Sequence, residues 1–230
     1  MYAARRMRFY IQSDEESQLF GPARGCEEFE QRLLHPAPGD TNVNSVDDEV
    51  LYVLAGSGAA TVGGSAAELR PGTAAYVAAG TPWSVEHAEA LEILSVLVHD
   101  PVPANGQTHA VVALDEVQDG VATAGRMFRL LAPCASATQF VGFIPPGRAP
   151  DHFHRYDEVV YVLEGTGALH VDGESAPLRR GTCIHLPARL VHSLENVGPG
   201  EMQVLGVFSP AGSPAEAYYP DGSAAAVPVA

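Results

Sequence analysis

The chain has 230 residues and a formal net charge of −15 at pH 7, with 13 Lys and Arg set against 28 Asp and Glu. That balance excludes a nucleic-acid surface, which needs clustered cations against phosphate, and the only basic cluster is Arg5, Arg6 and Arg8. Hydrophobic residues make up 46%, and 23 Gly and 18 Pro favour many short elements joined by tight turns, hence β structure over a helix bundle.

The N-terminal stretch MYAARRMRFYIQSDEES has no apolar centre of the kind a secretory signal carries. No apolar run approaches the roughly 20 residues of a membrane-spanning helix, so no membrane partner is expected. Cys26, Cys134 and Cys183 are odd in number and form no CxxC pair. They read as reduced thiols of a cytoplasmic protein. Further along, Glu27 to Leu34 is the one stretch with a plausible helical pattern.

From Asp48 the chain is written twice. A shift of 109 residues lays Asp48–Ala59 (DEVLYVLAGSGA) on Asp157–Ala168 (DEVVYVLEGTGA), and Leu69–Thr73 (LRPGT) on Leu178–Thr182 (LRRGT). Over positions 48 to 85, 18 of 38 pairs are identical. A period this long implies two small domains, 1–103 and 104–230, joined near His99–His109 (HDPVPANGQTH). Within each copy, Glu49–Leu54 and Glu158–Leu163 are strand-length runs, each ending in a G-x-G turn. Ala59–Val62 and Ala168–Val171 follow, closed by Gly63-Gly64 and Asp172-Gly173, which supply the positive φ of tight hairpins. Regular short strands with turn signals imply an all-β fold of antiparallel sandwich or barrel type.

The second copy carries chemistry that the first does not. His152 and His154 are two apart, so on a strand they share a face, and Glu158 keeps that parity if the strand stays regular. His192 returns after a Pro-marked turn. Three imidazoles and one carboxylate form an N₃O set suited to one divalent transition metal: Fe, Mn, Ni, Cu or Zn.

These segments resemble the two signature motifs of the cupin superfamily. The first runs Gly147, His152, His154, Glu158, Gly165, and the second Gly181, Pro187, His192, Asn196. Two departures stand out. Four residues rather than five separate Gly147 from His152, and Arg189 stands where the motif has glycine, so that turn must adopt another backbone or tolerate strain. The resemblance implies a bicupin, two tandem antiparallel jelly-roll barrels. Its metal ligands would be His152, His154, Glu158 and His192, all in the second barrel.

Under the same shift, His152, His154, Glu158 and His192 fall on Val43, Ser45, Glu49 and Trp83. Glu49 with the nearby His87 is too little to hold a metal, so the first barrel is expected to be empty, plugged or open only to an organic ligand. His170 and His185 read as exposed or hydrogen-bonded structural residues. Arg148, Arg155 and Arg189 read as rim charges that could meet an anion. Gln139, Val141 and Phe143 lead into the first motif, Gln139 as a polar contact and Phe143 as apolar wall. Tyr52 and Tyr161, at equivalent places, suggest a shared structural role. The segment 211–230 reads as an irregular tail anchored by Tyr218 and Tyr219, with a disordered end, a cover for the barrel opening or a crossing to a partner subunit all open.

The resemblance also implies a small-molecule ligand and a homodimer or a monomer. Known metal-bearing bicupins favour an enzyme, dioxygenase-like in activity, acting on a small polar or carboxylated molecule. The alternatives are a non-catalytic metal- or metabolite-binding bicupin and a sugar-type isomerase. No catalytic side chain outside the ligand set is singled out.

Overall fold

A computed structural model of the chain describes residues 10–12, 17–43, 46–103, 106–122 and 125–225. Arg5, Arg6, Arg8, Ser45 and the last five residues of the tail lie outside them. Among the described residues the structure is all-β, with two short 3-10 turns at Pro22–Arg24 and Leu114–Glu116. Strands are numbered β1 to β19 in chain order.

The first barrel is organised by two long strands, β5 (Asp48–Val62) and β8 (Pro82–Val98), antiparallel from Asp48↔Val98 to Val62↔Trp83. Here the G-x-G segment is not the turn that the sequence suggests. The chain bends through it inside β5, with register shifts between Val53 and Ala60. Gly56 has φ 78°, and a Cβ there would lie 2.2 Å from the Ala90 carbonyl oxygen. Only glycine fits so close a strand crossing. In the second copy the strand does break, at Gly165, between β14 (Asp157–Glu164) and β15 (Thr166–Val171).

The helix expected over Glu27 to Leu34 is corrected to a strand, β3 (Phe29–Leu34), paired with β8 over all six residues. Phe29, Gln31 and Leu33 turn inward at every second position. Pairing with β8 satisfies the backbone and buries Phe29, whereas a helix of two turns is marginal by itself. The two hairpins form as expected: Gly63 and Gly64, and Asp172 and Gly173, all have positive φ.

The second barrel has two sheets. One is ordered β1-β17-β14-β19-β12-β11-β10, where β1 is Tyr10–Gln12, β17 Thr182–Leu186, β19 Met202–Ser209, β12 Thr138–Ile144, β11 Met127–Leu130 and β10 Asp119–Val121. The other is β13-β18-β15-β16, where β13 is Gly147–Arg148, β18 His192–Asn196 and β16 Glu174–Arg179. The two halves exchange edges. β1 pairs with β17 (Tyr10↔Ile184), and β9 (His109–Ala113) pairs with β7 (Thr73–Val77) of the first barrel. The edges of β17 and β7 are thereby covered by the other half of the chain.

An apolar layer joins the barrels. Val50, Tyr52, Leu94, Val96 and Val98 from one side meet Val141, Val159, Tyr161, Leu205 and Val207 from the other. Asp48 fastens this layer by accepting from the hydroxyls of Tyr76 at 3.2 Å and Ser136 at 2.8 Å and from the Ala79 N–H at 3.0 Å. Tyr52 and Tyr161 are both buried here, the structural place their equivalence suggests. Gln139, expected as a polar contact, makes it to the Leu51 carbonyl across the layer, donating at 3.3 Å. It faces the other barrel because its parity on β12 follows Val141.

Candidate metal centre

Two crossings bring the sequence candidates together. β13 pairs with β18, and beyond it His152 and His192 exchange backbone hydrogen bonds of 3.0 and 2.8 Å. This ladder sets the two imidazoles side by side, with ring centroids 4.6 Å apart. His154 follows, 5.2 Å from the His152 ring and 5.8 Å from that of His192. One nitrogen of each lies within 4.8 Å of the other two. The turn before His192 is pinned to this ladder as well. Arg189 takes the glycine conformation, φ 67°, and its N–H donates to the His154 carbonyl at 2.7 Å. The motif's missing glycine is therefore met by strain rather than by a different backbone.

The hydrogen bonds select the tautomers. Nδ1 of His152 lies 3.0 Å from the Pro150 carbonyl, that of His154 2.8 Å from Glu216, and that of His192 3.0 Å from Leu190. A carbonyl only accepts, so each Nδ1 carries the proton and each Nε2 keeps a free lone pair. Burial, reinforced for His154 and His192 by the neighbouring imidazoles, lowers the proton affinity of all three, that of His154 to about 4. Three neutral imidazoles with oriented Nε2 atoms are a fitting donor set for a borderline divalent ion.

Glu158 lines the same pocket but falls outside the tight trio. The bend at Arg155 and Tyr156 interrupts the strand on which the ligands were expected to share a face. Burial pushes its carboxyl up to about 8, so it is held neutral at pH 7 when no metal ion is bound.

The pocket measures about 560 Å³ including its open mouth. Phe128, Phe140, Phe143 and Phe208 form much of its wall, and among the described residues Arg126 is the one arginine or lysine lining it. The sequence reading missed Arg126, Phe128, Phe140 and Phe208, which lie respectively at the entry to β11, on β11, on β12 and on β19, outside both motifs. The signal available was parity alone: Phe140 and Ile144 share a face of β12.

The tail was seen in sequence but not its purpose. Tyr218 pairs with Phe153 through the backbone, their rings stack at 5.6 Å, and Arg155 lies 4.0 Å over the Tyr218 ring. Glu216 supplies the carbonyl behind His154, and Pro214 lines the pocket. Tyr156 fixes this segment, its hydroxyl 2.7 Å from the Ser213 carbonyl and 3.2 Å from that of Glu216.

The other candidates lie apart. Arg148 pairs with Asp151 at 2.7 Å, and neither it, Arg155 nor Arg189 lines the histidine pocket. His170 pairs with Glu195 at 2.8 Å, and His185 is buried 3.5 Å from Asp157. In the first barrel His87 and Val43 are exposed, while Trp83 is buried with its indole N–H directed at Glu49.

Comparison with known proteins agrees with this architecture. Residues 34–97 and 140–208 match the Cupin domain family. Polyketide synthase CurC of Streptomyces cyaneus is 32% identical over 106 residues, 44% of this chain and 69% of that protein. Protein SchB of Streptomyces halstedii is 33% identical over 105 residues, 43% and 76%. Among solved structures, AerE from Microcystis aeruginosa superposes with a TM-score of 0.70 at 12% identity, covering 88% of this chain and 99% of that one. An oxalate decarboxylase OxdC mutant of Bacillus subtilis gives 0.64 at 14% identity, covering 87% and 77%. At these identities the superpositions speak for the fold alone. The family match, present once in each half of a duplicated sequence, shows that the chain belongs to the cupins and is a bicupin.

Proposed function

We propose that His152, His154 and His192 hold one divalent transition metal (Fe, Mn, Ni, Cu or Zn) through Nε2, with Glu158 as the fourth ligand. The 104–230 unit would then be the working half of a metal-dependent enzyme, and the 1–103 unit its support. The observation that carries this reading is the set of three Nδ1–carbonyl bonds, which leaves an Nε2 lone pair free on each of three imidazoles gathered within 4.8 Å. When bound, the ion supplies Lewis acidity toward substrate oxygens and, if redox-active, a route to oxygen chemistry.

The chain's own side chains define the rest. Phe128, Phe140 and Phe208 give the pocket an apolar wall, and Arg126 supplies positive charge for a carboxylate or an enolised oxygen. Glu158 is placed to exchange a proton with substrate whenever it is not engaged by the ion. An aromatic-walled site beside a metal favours dioxygenase-like turnover of a small enolisable or carboxylated molecule. The likeness to Polyketide synthase CurC points to a polyketide-type carbonyl compound within that class.

Anaerobic Fe²⁺ loading followed by an oxygen-uptake screen tests the reading. Uptake with one class among carboxylates, diketones, catechols and sugars, lost in His154→Ala, supports it. Metal occupancy with no turnover of any class would favour a non-catalytic metal- or metabolite-binding bicupin, a reading supported by the absence of metal donors at Val43 and Trp83 in the first barrel. Anaerobic conversion of a sugar would favour an isomerase.

Cys26, Cys134 and Cys183 are free thiols, which fits a cytoplasmic setting. Among the described residues no helix is long and apolar enough to cross a membrane. The two barrels already cover each other's apolar faces, which favours a monomer over a homodimer.

A further inference from the structure

Arg126 is unusual among the arginines of this chain. Arg70, Arg129 and Arg148 each reach an aspartate within 2.8 Å, and Arg32 lies between Glu30 and Glu49. Arg126 is half-buried and, among the described residues, forms no ion pair. Its Nη2 donates to the Leu194 carbonyl at 2.7 Å. The rest of the guanidinium is left to the pocket it lines. Burial weakens its hold on its proton, bringing its pKa to about 10. A half-buried cation without a counter-charge is costly. In a chain with 28 acidic residues, the omission of a partner here leaves room for an anion from outside.

The wall beside it is aromatic. Phe140 and Phe208 rings lie 4.8 Å apart, Phe208 and Tyr156 4.5 Å, and Phe128 packs into the same cluster. Apart from Arg126, Glu158 and the three histidines, the lining is apolar. A short aliphatic acid would satisfy the guanidinium and leave this wall in contact with water. A neutral ring would cover the wall and leave the cation unpaired. A phosphate dianion needs more donors than the one fork present, whereas a carboxylate matches it in plane.

We propose that this pocket binds an aryl-substituted carboxylate, its ring against Phe128, Phe140 and Phe208 and its carboxylate on the Arg126 guanidinium. The assignment rests on the reading of this pocket as the small-molecule site, though not on which ion occupies it. Arg126 is thus the residue that selects for charge, and the phenylalanines select for the ring.

Isothermal titration of the full chain, as purified and after chelator treatment, with 3-phenylpropanoate, 3-phenylpropanamide and propanoate tests this. The aryl acid is expected to bind at least about tenfold more tightly than either the amide or the ring-less acid. Arg126→Gln is expected to remove that advantage over the amide, and Phe140→Leu the advantage over propanoate. Far-ultraviolet circular dichroism and the melting temperature of each variant establish that the fold is retained. Equal binding of propanoate and 3-phenylpropanoate, an unchanged aryl-acid affinity in Arg126→Gln, or no binding of the aryl acid would each overturn the proposal. A wild-type chain that binds the aryl acid yet holds no metal would sink the metal reading and leave this one standing.

Discussion

Trp83 donates its indole N–H to Glu49 across 2.9 Å, and these two residues occupy the places that His192 and Glu158 hold in the other half. The duplicated carboxylate has been kept and given a different task. Asn42 donates to it at 3.1 Å, Ser95 at 2.5 Å and Arg32 at 3.5 Å. With its lone pairs taken by neighbouring donors, Glu49 is a buried brace and not a ligand in waiting.

Removing that acceptor strands several buried donors at once. Glu49→Ala is expected to cost about 3 kcal/mol or more, and Trp83→Phe, which removes one bond and keeps most of the ring, about 1 kcal/mol. Urea unfolding of the two variants measures both. The metal content of Trp83→Phe should match the wild type, because nothing in the first barrel is assigned as a ligand.

Tyr156 should control metal affinity without touching the ion. Its hydroxyl holds Ser213 and Glu216, and the Glu216 carbonyl fixes the His154 tautomer. Tyr156→Phe is expected to weaken metal binding about tenfold with little change in secondary structure. Competition against a chromophoric chelator reads this directly.

Arg189 pays for its place with a left-handed backbone, φ 67°. Glycine adopts that conformation without steric cost, although it loses more freedom on folding. Arg189→Gly is therefore expected to stabilise the chain by about 0.5–1 kcal/mol, visible as a raised melting temperature. A loss of stability would show that the Arg189 side chain contributes more than its backbone costs.

The pH dependence of the metal-free chain follows from four groups. His154 falls from 6.5 to about 4 on folding, and His152 and His192 are also lowered, all chiefly by burial. Below pH 6.5 the unfolded chain takes up protons that the folded one refuses, so stability falls as pH drops, by up to about 1.4 kcal/mol per pH unit for each group. Glu158 is the reverse, raised by burial from 4.5 to about 8. Between these values the folded chain keeps a proton that the unfolded one has lost, so stability falls as pH rises. Three histidines outweigh one carboxyl below 6.5, and the carboxyl acts alone above it. The contribution of these four groups should therefore peak near pH 6.5, which thermal melts between pH 5 and 8 would show.

Much of this was legible in the sequence because repetition doubles the signal. The DEVLYVL and DEVVYVL runs, the Gly-Gly and Asp-Gly hairpins and the three histidines all lie where local pattern puts them. The stretch Glu27 to Leu34 did not, since its pairing with β8 is a decision of tertiary structure that no local period records. Arg126 and Phe208 were hidden for a related reason: they reach the pocket from outside both motifs, at the entry to β11 and near the end of β19. The departure of Glu158 from the histidine trio arises from the bend at Arg155 and Tyr156, which the expectation of a regular strand did not contain.

The central claim, one metal ion per chain on the second-barrel histidines, is tested most directly by elemental analysis. The chain should be purified without a metal-affinity step, as wild type and as His154→Ala. The account predicts one equivalent of a transition metal in the wild type and a small fraction of that in the variant, with circular dichroism unchanged. Full occupancy in His154→Ala, or two equivalents in the wild type, would contradict it.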